Sequence, residues 1–218
     1  MKKWLLFILL INLTSVNGQL LKKNQTKLGL TVGYILSPKP NAALLPSAEF
    51  KFNNNWAAFV EIGFPISATQ NDSSAINSKF FRIKNEIRYY GNRKSYIGFQ
   101  LGIAFRNFDV LNSNTFYESQ KASSKFYNYD AANIQSNIYT STMQVGRSVM
   151  IFKQVGLDLS GGLGARIINT NYRKVINQVE STRPRGFFNF NGNKQAYYYN
   201  SNVYRLQFNI ALRLFYTL

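Results

Sequence analysis

The chain has no histidine and no cysteine, and only nine of its 218 residues are acidic. Without His or Cys it can assemble no Ser-His-Asp or Cys-His nucleophile, almost no zinc site, no disulfide framework and no lipid-bearing cysteine. A pair of carboxylates remains the one formal route to catalysis. The acids that fall in the ordered segments sit among bases, however, which reads as ion pairing. No catalytic residue, metal ligand or cofactor site is therefore assigned, and no enzyme is expected. Long apolar runs are also missing beyond the N-terminus, so no membrane-spanning helix is expected there.

The start of the chain carries the one unbroken apolar run. Met1-Lys2-Lys3 is a short basic flank, Trp4 to Ile11 is apolar, and Asn12 and Thr14 end the stretch. Ser15-Val16-Asn17-Gly18 then offers the modest side chains that a signal peptidase reads. An anchor helix would need about 20 apolar residues, so the segment reads as a secretory signal over 1–18, cleaved between Gly18 and Gln19. Residues 19–26 are read as a short periplasmic N-terminal segment, and 27–218 as one folded unit.

The scarcity of acid leaves a formal charge of +17, to which Lys2 and Lys3 contribute two. Such a balance raises nucleic acid as a partner. Export argues against it and favours phosphorylated glycolipid at a cell surface.

From Lys27 onward, hydrophobicity alternates with a period of two, the mark of strands whose faces meet different surroundings. Leu206, Phe208, Ile210, Leu212, Leu214, Tyr216 and Leu218 share one face, opposite Arg205, Gln207, Asn209, Arg213 and Thr217. Similar sets start at Leu28, Ala48, Trp56, Phe81, Ile97 and Val155, with Asn85 a polar exception on its apolar face. The stretch from Asn133 to Gly146 is weaker, with Tyr139, Ser141, Met143 and Val145 as its outward set. These make eight strands. Asn53-Asn54-Asn55, Gly91 to Lys94 and Arg147 to Lys153 are read as short links. Ser37 to Ala43, Pro65 to Lys79, Asn107 to Ala132 and Asn169 to Asn200 are read as long polar ones. Gly161-Gly162-Leu163-Gly164 looks like half a phosphate loop, but it interrupts no strand and reads as close packing.

No acid or base falls on an apolar face. The polar faces hold Glu49, Lys51, Glu61, Arg82, Lys84, Glu86, Arg88, Arg106, Asp158, Arg166, Arg205 and Arg213. The expectation is a lumen plugged by their ion pairs, because eight strands enclose only enough room for side chains. The other five acids (Asp72, Asp109, Glu118, Asp130 and Glu180) are assigned to the long links. Leu101, Leu159 and Leu212 are expected near the middle of a lipid-facing band.

Alternating short and long links with an even strand number is how outer-membrane barrels are built. The leader, the eight alternating segments and the aromatic-rich last strand resemble the small OmpA/OmpX-like outer-membrane proteins over nearly all of 27–218. That resemblance implies an eight-stranded antiparallel transmembrane up-and-down β-barrel in a Gram-negative outer membrane. It also implies outer-membrane lipid, the assembly machinery and an envelope protein as partners. The chain ends in Leu218, with Tyr216 two before it, where members often end in an aromatic residue. The function implied is structural or interactive; a small-solute channel or receptor is the alternative, and a soluble lipocalin-like barrel a more distant one. Tyr172, Arg173, Lys174, Arg183, Arg185, Phe187 and Phe188 are the candidate outer-loop binding residues, with an aromatic girdle as their plainer reading.

Overall fold

A computed structural model describes residues 25–36, 40–65, 75–91, 94–118, 125–181 and 200–218. Alternating side chains and continuous ladders give an all-β chain: β1 (Thr26–Leu36), β2 (Pro40–Lys51), β3 (Trp56–Pro65), β4 (Ala75–Tyr90), β5 (Ser95–Glu118), β6 (Lys125–Met150), β7 (Val155–Ile176), β8 (Val179–Ser181) and β9 (Asn202–Thr217). Each long strand pairs antiparallel with its neighbour, from β1 through β7 and on to β9. β9 then returns to β1, which closes an eight-membered, barrel-like ring. The two-residue period is consistent with that closure, with one face of every strand turned inward.

The short turns gather at one end. Asn53 Oδ1 accepts the backbone N–H groups of Asn55 and Trp56 at 2.9 and 2.8 Å, the side-chain turn that an Asn cluster favours. The β6–β7 turn falls at Ile151–Gln154, not at Arg147–Lys153. Arg147 to Met150 stay in ladder with Leu159 to Gly156, and β-branched Val149 suits a strand better than a turn.

The opposite end corrects the expected loops further. Asn107–Glu118 and Lys125–Ala132 are ladder, so the hairpin β5–β6 runs far beyond β1–β3. The link after β1 shrinks to residues 37–39, that after β3 to residues 66–74, and Asn169–Ile176 belongs to β7. Asp109, Glu118, Asp130 and Glu180 consequently lie in strands. Polar and aromatic alternation without an apolar stripe conceals a strand from a hydrophobicity reading, although its backbone hydrogen bonds are unaffected.

Bulges mark where the strands leave the ring. One extra residue enters β5 between Leu111 and Asn114, and one enters β7 near Lys174. Lys174 has φ 50°, as an extra bulge residue does, and Asn177 has φ 55°, which asparagine tolerates best after glycine. β8 then resumes on β6. On β2, Leu45 and Pro46 skip their ladder with β3, since proline brings no N–H.

Ring closure is uneven. β7 pairs with β9 from Val155–Tyr216 to Asn169–Asn202. Among the described residues β1 meets β9 only from Lys27–Thr217 to Leu30–Leu214. Above Leu214 one edge of β9 therefore has no described strand partner.

Candidate functional site

The interior is the polar side of the sheet. Glu49, Glu61, Glu86, Arg88, Arg106, Asp158 and Arg213 are buried, whereas Leu101, Leu159, Leu163, Phe208 and Ile210 are exposed. Of the polar-face set, Lys51 is buried as well, and Arg82, Lys84, Arg166 and Arg205 are partly covered.

Four acids from four strands meet two arginines at mid-height. Arg88 of β4 donates to Glu49 of β2, to Asp158 of β7 at 3.2 Å and to Glu86 beside it at 3.1 Å. Arg213 of β9 donates to the same Asp158 at 2.6 Å and to Glu61 of β3 at 3.2 Å. The Phe59 ring touches both guanidinium groups, at 4.0 and 4.2 Å from its centroid. Removing a charge from water costs several kcal/mol, and such a cluster is tolerable only because each charge is met by opposite charge and hydrogen bonds. Inward glycine makes room for it. A Cβ on Gly98 would collide with the Glu86 carboxylate, and one on Gly146 with the Tyr96 ring.

Several partners lay outside the expected set. Lys27 reaches Glu49 at 3.0 Å and lies 4.6 Å from the Phe215 centroid. Tyr90 donates to Glu49 at 2.9 Å, while Tyr96 and Ser148 donate to Asp158 at 3.1 and 3.0 Å. All have inward parity, the signal that could have found them.

Above this cluster bases outnumber acids among the described residues of the lumen. Arg82 and Lys84 share Glu61, at 2.9 and 3.6 Å. Arg106 stacks on the Phe108 ring at 4.0 Å. These three bases and Arg166 line one cavity of about 240 Å³. Higher still, Phe108, Val110, Tyr129, Ala132 and Ile134 form an apolar cluster inside the extended strands.

Of the candidate outer residues, Tyr172, Arg173 and Lys174 lie on β7 near the bulge; Tyr172 packs edge-on to Tyr129, with centroids 5.7 Å apart. Arg183, Arg185, Phe187, Phe188 and the Gly18–Gln19 junction lie outside the described residues, as does Asp72. Among the described residues no group of acids is placed to hold a metal ion.

The fold and its lumen thus define a class, a closed antiparallel ring with charged side chains inside and apolar ones outside. Comparison with protein-family models, curated proteins and solved structures gives no match.

Proposed function

We propose that this chain is a non-enzymatic outer-membrane β-barrel, exported by its leader, with a structural or interaction role in the envelope. One observation carries the reading: the polarity is inverted relative to a water-soluble fold. Contiguous exposed apolar patches above a few hundred Å² are rare on soluble monomers, yet here every long strand contributes exposed large apolar residues. A lipocalin-like alternative would need the reverse arrangement.

Aromatic rows support a membrane fit. Trp56 and Tyr89 pack together outside near the short turns, and Phe64 and Phe81 pack together outside farther up. Trp56 and Phe64 are eight residues apart on β3, about 26 Å along a strand at about 3.3 Å per residue. With a strand tilt of about 35–45°, this rises about 20 Å, which falls within a band about 25 Å tall flanked by aromatic girdles.

The plugged mid-lumen favours a structural role over a channel, and the extended β5–β7 region with Arg173 and Lys174 offers the surface for an envelope partner or lipid phosphate. The test has two readouts. Folded protein in detergent should migrate differently on gels before and after boiling, and in planar bilayers it should give no stable conductance steps. Solubility without detergent would overturn the membrane reading, and reproducible open-channel steps would transfer the function to the solute-channel alternative.

A further inference from the structure

We propose that the upper lumen binds a phosphate group, an inference that rests on the barrel reading above. Arg82, Lys84, Arg106 and Arg166 line the cavity, and no Asp or Glu does so among the described residues. Glu61, which pairs with Arg82 and Lys84, is also held by Arg213. Neutral donors, Gln207 and Asn209 of β9, complete the wall.

The ladder sharpens the case. Arg166 stands directly opposite Arg205 between β7 and β9. Lys84, Gly102 and Thr140 continue the same row through β4, β5 and β6. Gly102 lets Thr140 and Lys84 close in over it, since a Cβ there would come within 2.5 Å of Thr140 Oγ1 and 3.2 Å of Lys84 Cγ. The Nε atoms of Arg82 and Arg166 are buried without a hydrogen-bond partner among the described residues. Guanidinium forks match phosphate oxygens two at a time, and such charge-assisted bonds are the strong ones.

Two sources carry this chemistry. Free phosphate can occupy the lumen, and a lipid phosphate monoester can approach from the side. Phe208 and Ile210 border the cavity on the stretch of β9 where β1 provides no described ladder partner, and both are highly exposed.

The experiment uses the full chain, refolded in zwitterionic micelles and first checked for the boiling-dependent gel shift. It is titrated with inorganic phosphate at constant ionic strength and, separately, with phosphatidate added to the micelles, with binding read by phosphorus NMR. Saturable binding in at least one arm is expected. It should weaken about tenfold or more in Arg166→Gln, the loss of one charge-assisted hydrogen bond, and persist in Arg166→Lys. Gln207→Glu, which removes no arginine, should weaken it as well, and Lys153→Gln at the exposed turn should not. Binding of inorganic phosphate identifies the free anion as occupant; binding of phosphatidate alone identifies the lipid headgroup. A gel-shifting wild type that binds neither overturns the site, as does equal binding by wild type and Arg166→Gln, or equal loss in Lys153→Gln. A wild type without the gel shift removes the barrel reading, and the site with it.

Discussion

The two levels of the lumen are built on the same wall and differ in how charge is met. At mid-height, Glu49, Glu61, Glu86 and Asp158 surround Arg88 and Arg213, and Asp158 Oδ2 is shared between the two guanidinium groups. One level up, Arg82, Lys84, Arg106 and Arg166 face a cavity that no acid lines among the described residues. The lower level is a structural plug whose charges compensate one another. The upper level turns its bases toward a cavity whose described lining holds no acid, which is the setting the proposed anion would use. A charged lumen is therefore not one thing, because the ratio of acids to bases decides, level by level, whether it seals or binds.

Breaking the lower level should have the largest effect. Arg88→Met leaves Glu49, Glu86 and Asp158 facing one another and should cost about 3–5 kcal/mol, as loss of one partner from a buried ionic cluster does. Urea unfolding in lipid vesicles measures it; a cost below about 1 kcal/mol would deny the plug its role. Gly98→Val keeps every charge and tests the room the cluster needs. Its new carbons meet Glu86, and a cost of about 1–3 kcal/mol is expected for overpacking. The smallest effect belongs to the upper level. Arg166→Gln should change stability by no more than about 1 kcal/mol, within the range of a single ordinary hydrogen bond. If Arg166→Gln costs as much as Arg88→Met, the two levels are not different in kind.

Much of the wall was legible in the sequence, because parity survives errors in strand ends. Phe99 and Leu101 face out and Gly98, Gln100 and Gly102 face in whether β5 is taken to stop at Arg106 or at Glu118. The ends themselves were not legible. Stretches such as Asn114-Thr115 look like loop by composition but are held in ladder by β6. At Arg147–Met150 the difficulty was the reverse, a link assigned where the ladder continues. The polar face could be read as a set, but not its pairing. Which acid meets which base depends on strand stagger, which brings Arg213 to Glu61 across 152 positions of sequence. The division into two levels follows from the same stagger, as does the short β1–β9 seam, and neither leaves a local pattern.

The central claim is that the two faces of each strand meet lipid and lumen respectively, and neighbouring positions on β9 test it most directly. Leu212 is exposed and Gln207 lines the cavity. Arginine at a lipid-facing position near mid-membrane costs about 2–4 kcal/mol, whereas the lumen already holds arginines. Folding of Leu212→Arg and Gln207→Arg into vesicles, followed by the boiling-dependent gel shift along a urea series, compares them. The account predicts that Leu212→Arg is destabilised by about 2–4 kcal/mol and Gln207→Arg by clearly less; equal stability of the two variants, or a greater loss in Gln207→Arg, would contradict it.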